Sequence, residues 1–167
     1  MTTPPRISAA LGFLGIALAS LAALAVALVA QHAFDIQPCP WCVMQRIVLL
    51  AVIVVAIGAA ALARAAPRLG PGLGGLAVLG LACAGLTAAW YQHTVAAKQF
   101  SCAFTWADRM LMAWGLDAWW PGMFRVGATC ADAAQATLLG LPFEVWGGAW
   151  FALVAVAAVA LLLRARR

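Results

Sequence analysis

Apolar residues in this chain run on rather than alternate. Four stretches, 9–30, 43–63, 73–91 and 145–163, are almost free of polar side chains, and the only charge inside them is Arg46. Each comes near the ~20 helical residues that a hydrocarbon core of ~30 Å requires. A period of two is absent, which removes a transmembrane barrel. The polar segments between them are unequal: 31–42 is short, 64–72 is short, basic and rich in Pro and Gly, and 92–144 is long. The pattern predicts an all-α fold, an integral membrane four-helix bundle running up and down as one membrane domain. Its long outer loop joins helices 3 and 4, and a shorter outer loop, 31–42, joins helices 1 and 2. The first apolar run is about 22 residues, beyond the 7–15 of a signal peptide, so it is expected to remain as a span.

Composition agrees, with 66% hydrophobic and 9% charged residues where a soluble domain carries roughly a quarter charged. The positions of the charges set an orientation. Arg6, Arg64, Arg68, Arg164, Arg166 and Arg167 fall on one side of a four-span topology, and all five acids fall on the other. The positive-inside tendency makes the basic side cytoplasmic, with both termini there. The net charge of +5 is thereby topological, and no basic patch with interleaved aromatics points to nucleic acid. All eight tryptophans lie in or beside the outer segments, which suggests a long loop resting on outer lipid headgroups. Within "CAFTWADRMLMAWGLDAWWPGMF" the apolar residues form no clean stripe, because Leu111 and Met112 leave the face shared by Trp106, Met110 and Trp114. This stretch reads either as a helix in the membrane plane or as an irregular aromatic loop.

Four of the five cysteines, Cys39, Cys42, Cys102 and Cys130, fall on the outer side, where disulfides are permitted. Three pairings are possible. Spacing favours Cys39 with Cys42 and Cys102 with Cys130, since each pair lies within one connection. Cys42 stands at the head of the second span, where free backbone N–H groups and the helix dipole favour a thiolate. That pair reads as redox-active. The second pair closes a loop of about 29 residues, and the chain-entropy relation gives such a bond about 3.5 kcal/mol. On spacing alone it reads as a structural staple. A zinc site is disfavoured, because two cysteines 28 apart make a poor half-site. Cys83, amid small residues in the third span, is expected to be a small buried apolar residue.

Arg46 lies four residues beyond Cys42 and Gln45 three, so on a helix both lie close to the sulfur's face. An arginine there either snorkels to the outer headgroups or serves a site, since a charge just inside a span is costly. Beside a cysteine it can hold a thiolate or donate to a polar acceptor on a lipid-soluble partner such as a quinone carbonyl. His93 follows the third span at the same level, either as a proton or hydrogen-bond donor or as a plain interfacial histidine. His32 has no cysteine at helical spacing.

The order of "PCPWCVMQR", then "YQHT", a lone Cys102, an aromatic loop and "CADAAQATLLGL" before the last span resembles the disulfide bond formation protein B (DsbB) family over nearly the whole chain. The resemblance implies a protein-disulfide:quinone oxidoreductase of the bacterial inner membrane, multi-pass, with its active cysteines periplasmic. A loop disulfide, Cys102 with Cys130, would oxidise a soluble DsbA-like thiol oxidase, with Cys102 taking the partner's thiolate. Cys39 and Cys42 would reoxidise that pair, and the membrane quinone pool, as ubiquinone or menaquinone, would reoxidise them at Cys42. Arg46 would bind the quinone head group, with His93 near it. The resemblance thus replaces the staple reading of Cys102 and Cys130 with a catalytic one. The segment "AAKQFS" before Cys102 looks short for the family, which bears on the register between the pairs.

Two other readings compete. A vitamin K epoxide reductase-like membrane enzyme also joins thiols to quinones, but its loop cysteines precede the Cys-x-x-Cys, whereas "CPWC" comes first here. A structural membrane protein with stapling disulfides is the alternative from outside enzymology.

Overall fold

The structure, a computed structural model, describes residues 5–98 and 105–165. Four long helices, α1 (Pro5–Ala33), α2 (Pro40–Ala65), α3 (Gly70–Thr94) and α8 (Phe143–Ala165), cover the four expected spans and outlast them at both ends. All four are long and apolar enough to cross a membrane. Helix α2 begins early for a local reason. Pro40 stands at its first position, where its missing N–H costs nothing, and Cys39 is the N-cap. Cys42, at the edge of the loop in the sequence, is therefore inside the first helical turn.

The helices pack as neighbours in chain order: α2 lies between α1 and α3, and α3 lies against α8, while α1 and α8 touch sparsely. All four meet in one buried cluster that extends toward the end carrying both termini. There Phe13 of α1, Val52 of α2, Val78 of α3 and Val154 of α8 join, with the space between them filled out by alanines. That end also carries Arg64 and Arg164 in the last turns of α2 and α8, where a cation complements the helix dipole. Toward the other end the outer helices part.

Small residues bring α3 close to its neighbours. A Cβ on Gly85 would overlap the Phe151 ring, and one on Gly74 would stand 2.5 Å from the Ala59 methyl. Between membrane helices this fit matters more than in water, since lipid is as apolar as leucine. Gly85→Val should therefore destabilise the bundle by about 1–3 kcal/mol. Gly80→Val, whose Cβ would meet nothing within 4 Å, should change it by under ~0.5 kcal/mol. Denaturant unfolding in mixed micelles checks both. Cys83 departs from expectation: it is exposed on the outward face of α3 rather than packed between helices.

The long connection is helical in pieces. A 3-10 turn (Ala96–Lys98) precedes α4 (Trp106–Trp114), α5 (Leu116–Trp119), α6 (Pro121–Phe124) and α7 (Cys130–Ala133), and a two-stranded hairpin, β1 (Thr137–Leu138) with β2 (Leu141–Pro142), leads into α8. Thr105 and Asp108 cap α4 reciprocally, and Gly115 ends it at φ 61°. The inward face of α4 is Ala107 and Leu111, which pack with Met123 and Phe124 over Leu24, Val43 and Met44. Trp106 and Trp114 are exposed, so the tryptophan face points outward from the bundle.

Candidate active site

Three of the four outer cysteines meet at the head of α2. The Cys39 and Cys42 sulfurs are 2.9 Å apart, and Cys39 and Cys130 are buried together against Ala96 and Ala133. The Cys39 sulfur accepts from the Cys42 backbone N–H at 3.3 Å, the usual role of a capping side chain. The Trp41 backbone N–H favours a thiolate at Cys130.

Two backbone bonds deliver Cys130 to this point. Gly127 and Ala128 donate to the Pro38 carbonyl at 3.0 and 3.3 Å, docking the segment before Cys130 on the segment before Cys39. Gly127 lies so close to the Gln37 side chain that a Cβ would collide with it. Thr129 then caps the single turn of α7 by accepting from the Asp132 N–H, which fixes Cys130 at its first position. Cys102 lies outside the described residues.

The sulfurs differ electrostatically. Burial pushes the Cys39 thiol well above the ordinary cysteine range, and its hydrogen bonds to Cys130 and Cys42 push it further. Cys130 moves the other way: the hydrogen bond with Cys39 holds its thiol below the ordinary range, helped by the Trp41 N–H and opposed by burial. Cys39 is the proton holder, and Cys130 is the readier thiolate. In Cys39→Ala the main cause of that lowering is gone, so the pH profile of Cys130 alkylation should move upward toward an ordinary cysteine. Peptide mapping of maleimide-labelled protein across neutral pH reads the shift.

Behind Cys42 stands a chain of amides. Gln92, fully buried, donates from Nε2 to the Cys42 sulfur at 3.2 Å, and its Oε1 accepts from Gln45 Nε2 at 2.7 Å. Arg46 is only 6% exposed, so it does not snorkel. Its Nη1 donates to Gln31 Oε1 and to the Met123 carbonyl (3.1 Å), and its Nη2 to the Ala27 carbonyl (3.4 Å). The guanidinium thereby ties α1 and α6 to α2. His93 is half-exposed and bonds Glu144 Oε1 through Nδ1 at 3.2 Å, while Glu144 itself is 3% exposed.

Where α1 and α8 part, a cavity of about 450 Å³ opens, walled mainly by apolar residues of both helices. Its polar wall is Gln37, Cys42, Gln45, Arg46 and Glu144. Glu144 Oε2 and the indole N–H of Trp150, another lining residue, are buried without a partner among the described residues. The structure thus brings Cys39, Cys42, Cys130 and Arg46 to one place, with His93 one residue removed from the cavity, behind Glu144. Sequence reasoning passed over Gln92 and Glu144. Both carried a signal: an amide in the last turn of an apolar span, and an acid at the head of another, are costly positions that mark sites.

Comparison with known proteins agrees in one direction. Residues 9–161 match the family described as "Disulfide bond formation protein DsbB". Disulfide bond formation protein B of Herminiimonas arsenicoxydans is 32% identical over 141 residues, covering 84% of this chain and 87% of its own. The protein of that name from Ralstonia nicotianae is 30% identical over 156 residues, 93% of this chain and 94% of its own. That from Neisseria gonorrhoeae is 32% identical over 139 residues, 79% and 82%. With four helices able to span a bilayer and three cysteines gathered at one end, this chain belongs to the DsbB family of multi-pass membrane oxidoreductases of disulfide bond formation.

Proposed function

We propose that the protein oxidises a periplasmic thioredoxin-like thiol oxidase of the DsbA type and passes the electrons to membrane quinone. The observation that carries this reading is the double position of Cys42: its sulfur touches Cys39 in the thiol cluster, and its side chain lines the apolar cavity.

In this reading the cluster end lies at the outer face of the bacterial inner membrane, as the one-sided arginines favour. A disulfide between Cys102 and Cys130 is given to the partner, with Cys102 taking the partner's sulfur in a mixed disulfide. Cys130, left as the readier thiolate, attacks the sulfur of Cys39 in a Cys39–Cys42 disulfide. A Cys130–Cys39 bond forms, the Cys39–Cys42 bond breaks, and Cys42 leaves as a thiolate at the cavity. The Gln92 amide and the first-turn dipole hold that charge. Cys102, once released by the partner, displaces Cys39 from Cys130, which restores the loop disulfide and returns Cys39 as a thiol.

The cavity fits a quinone head group. Its walls are apolar, its volume lies in the range of small-molecule sites, and it holds one cation and an indole N–H without a partner, both donors to a carbonyl. Quinone, when bound, supplies a two-electron sink that takes up two protons. Arg46 would hold the head group beside Cys42, and the parted α1 and α8 give a lipid-soluble molecule lateral entry.

The test is turnover. The full-length protein, mixed with a reduced thioredoxin-like oxidase, should reduce ubiquinone or menaquinone with matching oxidation of the partner. Repeated turnover of the partner without quinone, beyond the one or two equivalents that the protein's own disulfides supply, or no turnover with either quinone, would refute the reading.

A further inference from the structure

Glu144 is an expensive residue to keep where it is. It stands in the first turn of α8 in the cavity wall at 3% exposure, with one carboxyl oxygen on the His93 ring and the other, Oε2, buried and without a partner among the described residues. A buried polar atom without a partner is costly and calls for a reason. Helix capping does not supply one, because no backbone donor of α8 reaches it. His93 provides the other half of the geometry: its side chain is 52% exposed, so the ring is accessible from outside the bundle while Nδ1 meets the carboxylate. Imidazole, carboxyl and cavity thus adjoin in that order.

We infer that His93 and Glu144 form a proton path from outer water into the cavity, Glu144 taking a proton at Oε1 and giving it from Oε2 to the quinone oxygen. This rests on the quinone reading above and names which residues serve protonation there.

The balance of the reaction asks for such a path. Cys42 arrives at the cavity as a thiolate, because exchange released it without a proton. When Cys39 and Cys42 close into a disulfide they give up two electrons and the single Cys39 proton, while quinol formation consumes two electrons and two protons. The second proton must come from water. Cys42 and Arg46 cannot carry it, being the electron donor and a guanidinium that stays charged, and neither can the amides of Gln37 and Gln45. The titratable or charged groups that line the cavity or bond Glu144 are Cys42 and Arg46 from α2 and His93 from α3; the walls from α1 and the outer connection contribute none. Among them Glu144 is the carboxyl in the cavity wall, and its Oε2 is free of a partner among the described residues. Its neighbour Trp150 donates but holds no spare proton.

The test separates protonation from binding. Glu144→Gln keeps the shape and one acceptor but cannot pass a proton. It should bind a short-chain ubiquinone with unchanged affinity, read by quenching of Trp146 and Trp150, which line the cavity. It should reduce that ubiquinone about 100-fold more slowly, the scale of a lost general acid. Infrared difference spectra of the wild-type protein before and after reduction should contain a carboxyl C=O signal that the variant lacks. His93→Ala should slow turnover about tenfold, below that scale because water can enter the space left. Added imidazole should restore its rate. A Glu144→Gln protein that turns over at the wild-type rate, or that loses affinity and rate together, overturns the inference. So does a slow His93→Ala protein deaf to imidazole, which also serves if Glu144→Gln fails to fold. Failure of the wild-type protein to reduce quinone at all is a different result, and it removes the function reading instead.

Discussion

Cys42→Ser abolishes electron flow to quinone, by roughly three orders of magnitude or more, the scale on which removal of a catalytic nucleophile acts. Serine fits the space and keeps the Gln92 hydrogen bond, but it can neither join Cys39 in a disulfide nor leave as a stable anion. The defect should be confined to the cavity side. Cys130 and Cys39 remain in contact, so the variant still exchanges once with a reduced partner and then stalls. Quenched-flow alkylation would separate that one exchange from turnover, with the partner's thiols and quinol formation followed in the same sample. Cys83→Ala is the control, since Cys83 faces outward from α3, far along the chain from every polar wall residue, and it should turn over normally.

Arg46→Ala carries two effects that can be read apart. The guanidinium holds three oxygens, on Gln31, Met123 and Ala27, so its loss leaves acceptors buried without a donor and loosens α1 and α6 from α2. Unfolding should show a cost of about 2–3 kcal/mol. It also removes the one cation in the cavity wall among the described residues, which should raise the apparent KM for quinone about tenfold or more, while thiol exchange with the partner is spared. Arg46→Lys should rescue neither, because a single ammonium on a flexible stem cannot span three acceptors set by a planar fork. An unchanged KM in Arg46→Ala would reduce the arginine to a structural tie.

The spans were legible because lipid imposes one rule on every residue in turn: twenty apolar side chains in a row need no partner to be recognised. Helix α2's head was legible for the same local reason, since Pro40 and the spacing of Cys42, Gln45 and Arg46 fix a shared face once a helix is assumed. What stayed hidden depends on contacts between distant segments. Nothing along the chain says that Gly127 and Ala128 hydrogen-bond Pro38, and it is this pairing that sets Cys130 beside Cys39. Nor does spacing show that α1 and α8 part to leave a cavity, because each helix is apolar all round and presents no preferred face. Cys83 was misplaced on that account, a small residue among small residues giving no clue to which side meets a helix and which meets lipid. Glu144 was counted as a charge on one side of a membrane; only its burial, with one oxygen on His93 and the other bare, turns it into part of a site.

The most direct test is a single turnover without the partner. The protein, reduced at all its thiols and freed of reductant, is mixed with a short-chain ubiquinone under anaerobic conditions, quenched with acid and mapped for disulfides as quinol forms. A relay through α2 requires the first disulfide to join Cys39 and Cys42, appearing at the same rate as one equivalent of quinol, with any bond to Cys130 arising only afterwards by exchange. Quinol formed while Cys39 and Cys42 stay reduced, or a first disulfide that leaves Cys42 out, would contradict it.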